Sequence, residues 1–98
     1  MKLTIIPNDG AVYKDGVCYS GLSLNTAPAN VHALQWDGVS GWLEFFNESE
    51  FRKPPNESIT ELPSWANDAL TAWQAAFDAD HVQLQPQEQA VVEGAQTL

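Results

Sequence analysis

Short β-prone segments dominate the first half of the chain. Residues 3–6 are β-branched or aliphatic, and a turn-forming segment follows them. Two further β-prone runs, 11–14 and 17–20, are separated only by Asp15-Gly16. An Asp-Gly pair between such runs is the strongest local signal for a β-hairpin, because both residues tolerate the positive φ of its tight turn. The pattern therefore predicts a strand, a turn and a hairpin.

The two-residue turn also predicts the register of this first hairpin. It pairs Val12 with Tyr19, which places both side chains on one face of the sheet. Tyr13 and Cys18 then share the opposite face. Only one of the two faces needs to be buried.

A second hairpin is predicted from residues 31–36 and 42–46, which a glycine-containing connection joins. Strand alternation divides the second run between two faces, one carrying Trp42, Glu44 and Phe46 and the other Leu43 and Phe45. Residues 47–56 are polar, charged and proline-containing, which favours a loop. Residues 57–62 are expected to form a short strand or a single turn.

The clearest helix signal follows Pro63. Apolar residues repeat with the 3.6-residue period of an α-helix and form one stripe: Ala66, Ala69, Leu70, Trp73, Ala76 and Phe77. We expect this helix to run from about residue 64 to about residue 79, the uncertainty at each end being a few residues.

These elements together predict an α+β fold. Two β-hairpins form a small, mostly antiparallel sheet, and one C-terminal amphipathic helix packs on it. Residues 1–80 make a single domain, and residues 81–98 make a flexible acidic tail that is rich in Gln, Glu and Ala.

Charge narrows the possible functions. The chain has 98 residues, and its 13 acidic and four basic residues give a formal net charge of -9. Nucleic-acid binding through phosphates and docking on an anionic membrane surface both need clustered basic residues, so neither partner is expected. No apolar run approaches the ~20 residues of a membrane-spanning helix. The apolar run at 3–6 is also shorter than the ~7–15 residues of a signal-peptide core, which predicts a protein that stays in the cytoplasm.

The sequence contains no recognisable catalytic or metal-binding motif. Cys18 is a single cysteine in a hairpin strand, and we interpret it as structural rather than as a nucleophile with His32 as its base. No ligand set with metal-binding spacing is present, and no cofactor is expected. Four tryptophans in 98 residues are the unusual feature. We expect Trp73 and Trp42 in the core and leave Trp36 and Trp65 open between core and surface.

The segments IIPNDGAVYKDGVCYSGLSL and VHALQWDGVSGWLEF lie within residues 3–46. Together with Pro55-Asn56-Glu57 and the Trp-bearing helix that follows, they resemble small proteins encoded in the tail and tail-fibre gene regions of tailed bacteriophages and prophages. The resemblance covers most of residues 1–80. It implies a non-catalytic structural or assembly protein of the tail or tail fibre, which acts through protein-protein contacts and carries no known site.

This interpretation implies phage tail or tail-fibre proteins as partners, and it leaves self-association around a tail axis open. The host cytoplasm during assembly is the expected location, with the virion as a second one. The residues predicted to bind a partner are Trp36, Trp65, Val91 and Val92.

Two alternatives remain open at this stage. The first is an acidic phage-encoded inhibitor of a host defence nuclease that imitates DNA, since nine of the thirteen acids follow residue 46. Arg52 and Lys53 interrupt that acidic region. The second is a glycan-binding module that uses Trp36 and Trp42, which requires both rings to face solvent.

Overall fold

The computed structural model describes residues 1–82, which form a six-stranded antiparallel sheet and one α-helix. The strands are β1 (Leu3–Ile6), β2 (Ala11–Lys14), β3 (Val17–Tyr19), β4 (Val31–Trp36), β5 (Gly41–Phe45) and β6 (Glu57–Ile59). The helix α1 spans Ser64–Val82. The α+β fold expected from the sequence is confirmed.

The strand order is β3-β2-β1-β4-β5-β6, and every neighbouring pair is antiparallel. The sheet therefore consists of two three-stranded meanders, which β1 and β4 join side by side. Residue Thr4 of β1 lies opposite Gln35 of β4 in this central pair. The predicted hairpins are the β2–β3 and β4–β5 pairs, and β6 extends the second of them by one short strand.

The first hairpin has the predicted register. Val12 lies opposite Tyr19, and Tyr13 lies opposite Cys18. Its turn residues adopt left-handed backbone conformations, with φ of 49° at Asp15 and 87° at Gly16. Aspartate and glycine are two of the residue types that tolerate this conformation, which explains why the turn forms here.

One face of the sheet, which we call the covered face, carries the hydrophobic core. Its central side chains are fully buried aliphatic residues, namely Leu3, Ile5, Val12 and Leu34. The helix contributes Ala66, Ala69 and Trp73 to the same cluster. Small alanines let the helix backbone approach the sheet closely, and the predicted apolar stripe thus faces the core. Leu22 and Leu24, from the connection between β3 and β4, pack against this cluster.

Polar contacts attach the helix to the first meander. The indole Nε1 of Trp73 donates to the backbone oxygen of Val17 at 2.9 Å. The Tyr19 hydroxyl donates to Asp80 at 2.9 Å, and burial raises the pKa of this phenol, with a further contribution from Asp80. The helix therefore lies over the half of the sheet that contains β2 and β3.

The helix continues three residues beyond its expected end at residue 79. Nδ1 of His81 lies 2.8 Å from the backbone oxygen of Phe77, and the two rings stack with their centroids 3.8 Å apart. These contacts give residue 81 a place in the helix rather than in the predicted tail. The remainder of that tail, 83–98, lies outside the described residues.

Candidate binding surfaces

The face of the sheet opposite the core is not covered by the helix, and we call it the open face. One row of directly opposite residues crosses all six strands on this face: Cys18, Tyr13, Thr4, Gln35, Trp42 and Ser58. Their neighbours Val12, Leu34 and Leu43 point into the core. Strand alternation therefore separates a buried aliphatic row from a polar and aromatic row.

Two aromatic rings stand on either side of the centre of this row. Tyr13 is 44% exposed and Trp42 is 43% exposed. Their strands are separated by β1 and β4, so the two backbones lie about 14 Å apart at the usual strand spacing. Between them, Thr4 and Gln35 form the floor of a groove of about 490 Å³, which Lys2 and Asp37 also line. This volume lies within the ~300–1,000 Å³ range of ligand pockets.

Hydrogen bonds fix the orientation of the groove side chains. The indole Nε1 of Trp42 donates to Glu44 Oε2 at 2.8 Å, and Glu44 lies two residues further along the same face of β5. The Thr4 hydroxyl donates to Gln35 Oε1 at 2.7 Å. The side-chain nitrogen of Gln35 keeps its two N–H donors, and no acceptor for them is found within residues 1–82. The groove floor thus presents these two N–H donors between the Tyr13 ring and the hydrogen-bonded Trp42 indole.

The tyrosine side of the groove contains a thiol next to a phenol. Cys18 lies directly opposite Tyr13 and is exposed. Hydrogen bonding and electrostatic interaction with the adjacent Cys18 side chain raise the pKa of the Tyr13 phenol. Like an ordinary phenol, it is protonated at neutral pH and able to donate a hydrogen bond.

A charged turn closes one end of the groove. Asp37 Oδ1 accepts the backbone N–H groups of Val39 and Ser40, both at 2.9 Å. These bonds favour the carboxylate and lower the pKa of Asp37, and the charge of Lys2 lowers it further. The turn between β4 and β5 is therefore held by an anion with two backbone donors.

A second exposed feature follows β5, and we call residues 48–52 the Phe51 turn. The backbone N–H of Glu48 donates to Arg52 O at 2.8 Å, and the N–H of Arg52 donates to Ser49 O at 3.2 Å. An ion pair of 3.1 Å joins the side chains of Arg52 and Glu48. Phe51 is 91% exposed at the tip of this closed turn. The turn thus presents one aromatic ring to solvent from a hydrogen-bonded frame.

A shallow depression of about 480 Å³ lies at the base of the Phe51 turn. Asn47 and Lys53, which flank the turn in sequence, line it together with Phe45, Phe46 and His32. The rings of His32 and Phe46 are in contact, with centroids 5.0 Å apart. Aromatic surface therefore continues from the turn to the start of β4.

The structure describes two of the four residues predicted to bind a partner, Trp36 and Trp65. Trp65 is 8% exposed and belongs to the core cluster, so most of its ring contacts the protein itself. Trp36 is half-buried against the same cluster, opposite Leu3 on the covered face. Val91 and Val92 lie outside the described residues. Trp36 also lines the open-face groove, and neither Trp36 nor Trp65 belongs to the Phe51 turn. The partner-binding role of all four residues stays a prediction.

The tryptophan assignments are confirmed in one case and wrong in another. Trp73 lies in the core at 5% exposure, as expected. Trp42 was expected there as well, but it faces solvent because Leu43 is the residue of β5 that points inward. Strand alternation places Trp36 and Trp42 on different faces of the β4–β5 hairpin, yet both line the open-face groove, with Trp36 half-buried and Trp42 43% exposed. The glycan-binding role of this pair stays a prediction.

Sequence reasoning did not identify Tyr13, Gln35 or Phe51 as site residues. The predicted register already placed Tyr13 opposite Cys18, but the pairing of β1 with β4 is needed to bring Tyr13 into one row with Gln35 and Trp42. Phe51 could have been noticed as the only large apolar residue in the charged segment 47–53.

Within the part of the chain that the structure describes, no group of three or more His, Cys, Asp or Glu side chains is placed to hold a metal ion. Cys18 and His32 lie on β3 and β4, which β2 and β1 separate. None of the helical segments between residues 1 and 82 is both long and apolar enough to cross a membrane.

No family model, curated protein or solved structure matches this chain.

Proposed function

We propose that this protein is a non-catalytic interaction domain that assembles with a bacteriophage tail or tail-fibre protein through the Phe51 turn. The phage setting rests on the sequence resemblance over most of residues 1–80. The use of protein contacts rests on the exposed surface of the fold.

One observation supports the proposal most, and it is the presentation of Phe51. Burying a phenylalanine side chain contributes about 1.5–3 kcal/mol, and a ring that is 91% exposed gains almost none of this in the isolated chain. Single exposed apolar residues are common on protein surfaces. Here, however, backbone hydrogen bonds and the Glu48–Arg52 pair hold the turn, so a partner would not have to order the backbone that carries the ring.

The surroundings of Phe51 also fit a protein partner. Interface hot spots consist of aromatic and arginine side chains at the centre, and less important contacts surround them. The turn supplies an aromatic ring and Arg52, and the depression beside it supplies Phe46, His32 and Lys53. A partner side chain can enter that depression while Phe51 enters a pocket of the partner.

Many acidic side chains serve the fold itself, which favours protein contacts over imitation of DNA. Asp15 accepts the backbone N–H of Lys2, Asp68 accepts the Thr26 hydroxyl, and Asp80 accepts the Tyr19 hydroxyl. A DNA mimic needs its carboxylates free and arranged like phosphates to meet a basic groove. The carboxylates named here instead form hydrogen bonds within the protein, where they hold turns and attach the helix, and this favours protein contacts over imitation of DNA.

The test is association with phage tail structures in the strain that encodes the chain. Phe51→Ser and Val39→Ser variants are produced from the native locus, and the chain is quantified by mass spectrometry in purified particles and in tail assembly intermediates. Val39 is the matched control, because it is 78% exposed but lies at the opposite end of the β4–β5 hairpin. We expect Phe51→Ser to lower association about thirtyfold, which corresponds to the ~2 kcal/mol of a hot-spot residue, and Val39→Ser to leave it unchanged.

Two results would overturn this proposal. Absence of the wild-type chain from particles and intermediates at every stage would remove the tail assignment, and a stoichiometric complex with a host nuclease would replace it with the inhibitor alternative. Equal association of the Phe51→Ser and wild-type chains would remove the Phe51 turn as the contact.

A further inference from the structure

The groove on the open face differs in chemistry from the rest of this chain. The protein carries a net charge of -9, yet the row that crosses the groove contains no Asp, Glu, Lys or Arg and consists of Cys18, Tyr13, Thr4, Gln35, Trp42 and Ser58. The charged residues that line the groove are Lys2 and Asp37, which have opposite signs. Because these two charges have opposite signs, the groove offers no excess charge of either sign, and the uncharged row that crosses it favours an uncharged ligand.

Two aromatic rings with polar groups between them suit a sugar. A pyranose ring has an apolar face of C–H groups, which stacks on an aromatic ring, and a rim of hydroxyl groups, which exchange hydrogen bonds with amides and hydroxyls. Trp42 and Tyr13 offer the stacking surfaces, and Gln35 offers two N–H donors with no acceptor within residues 1–82. We propose that this groove binds a neutral oligosaccharide.

The spacing of the rings selects an oligosaccharide over a single sugar. Tyr13 and Trp42 project from strands about 14 Å apart, so no single sugar ring contacts both. A chain of sugars lying across the strands can place one unit on each aromatic ring while an intermediate unit lies over Thr4 and Gln35.

The groove is also ordered before any ligand arrives. The bond from Trp42 to Glu44 holds the indole along the strand, and the bond from Thr4 to Gln35 orients the amide. Binding then costs little side-chain entropy, because these rotamers are already fixed. This arrangement differs from a proline-rich peptide site, in which aromatic residues line the groove continuously; here a polar pair occupies its centre.

The proposal goes beyond the tail-assembly function and stands independently of it, because the Phe51 turn lies outside the groove. The full chain is screened against an array of neutral and acidic glycans and against a proline-rich peptide. Binding of neutral oligosaccharides, with cellohexaose, maltohexaose and chitohexaose as soluble probes, is then measured by calorimetry and by the NMR shift of the Trp42 indole N–H. We expect at least one neutral oligosaccharide to bind and to shift this resonance.

Variants on the two sides of the groove define the site. We expect Trp42→Ala and Tyr13→Ala each to weaken glycan binding at least tenfold, and Gln35→Leu to weaken it while both rings remain. Val39→Ala and Phe51→Ser are matched controls that remove exposed apolar groups outside the groove and leave glycan binding unchanged. Phe51→Ser in particular separates this proposal from the assembly function, since it is expected to abolish only the latter.

Three results would overturn the inference. One is that no neutral glycan binds; another is that the ligand is acidic or is the proline-rich peptide. The third is that a glycan binds equally well to wild type, Trp42→Ala and Tyr13→Ala, all three with the same thermal unfolding midpoint.

Discussion

The two faces of the sheet use the same strands for opposite purposes. Leu34 of β4 is fully buried on the covered face, whereas the next residue, Gln35, belongs to the groove on the open face. Likewise, Leu43 of β5 is 9% exposed and its neighbour Trp42 is 43% exposed. One residue along a strand therefore separates a side chain that stabilises the fold from one that is available to a ligand.

The difference between the faces shows where large rings are needed for stability. The centre of the covered face is filled by aliphatic residues, and the helix adds Trp73. The open face keeps Tyr13 and Trp42 in contact with solvent, although each could have been a smaller polar residue without loss of core packing. Aromatic surface that does not contribute to the core is the surface on which to look for function.

The largest expected effect tests this division at adjacent positions. Leu34→Ala removes a fully buried side chain from the core cluster and is expected to lower the free energy of unfolding by about 3–5 kcal/mol, through lost burial and the cavity it leaves. Gln35→Ala lies one residue away on the open face and is expected to change it by less than about 1 kcal/mol. Urea denaturation followed by circular dichroism measures both.

Similar losses in the two variants would contradict the division, because they would mean that the open face is as important for stability as the covered one. An unchanged denaturation midpoint in Leu34→Ala would contradict the position of the core itself. If Leu34→Ala does not fold, Leu34→Val provides a milder version of the same test.

Substitutions of Trp73 in the core and Trp42 on the open face test the same comparison and are expected to have smaller effects on stability. Trp73→Phe removes the bond to the Val17 backbone oxygen and part of a buried ring, and it is expected to cost about 1–3 kcal/mol. Trp42→Phe removes the hydrogen bond to Glu44, which lies on the open face, and is expected to change the free energy of unfolding by less than about 0.5 kcal/mol. Thermal and urea unfolding provide the values. A greater loss of stability in Trp42→Phe than in Trp73→Phe would contradict this comparison, because the indole on the open face would then contribute more to stability than the indole in the core.

Local sequence features predicted the local elements of this fold. The Asp15-Gly16 turn predicted the register of the first hairpin, because the turn geometry and the pairing are set within a few residues. The apolar stripe predicted the helix face that includes Ala66 and Trp73, because the 3.6-residue period is visible in one segment. Tertiary contacts were not needed for either.

The candidate sites depend on pairings that no local pattern contains. The row through the groove exists because β1 lies beside β4, whose facing residues Thr4 and Gln35 are 31 positions apart in sequence. Alternation in β5 distinguished two faces correctly, but both contain large apolar residues, so the pattern did not show whether Trp42 or Leu43 faces the core. Burial in the core cluster, to which the helix contributes, decides which of these two residues faces the core.

The smallest expected effect concerns charge at the end of the open-face groove. The N–H groups of Ser40 and Val39, together with Lys2, lower the pKa of Asp37 below its model-peptide value of 3.8. An acid whose pKa is lower in the folded state stabilises that state above its unfolded pKa and loses this contribution as pH falls through the folded pKa.

Asp37→Asn retains an oxygen for the turn but lacks the charge. We therefore expect wild type to have the higher melting temperature at pH 7, and the difference to disappear below pH 3.8, as Asp37 becomes protonated in both states. Melting curves of both proteins across this range give the difference directly. A difference that stays constant or grows as the pH falls would show that the Asp37 charge does not stabilise the turn.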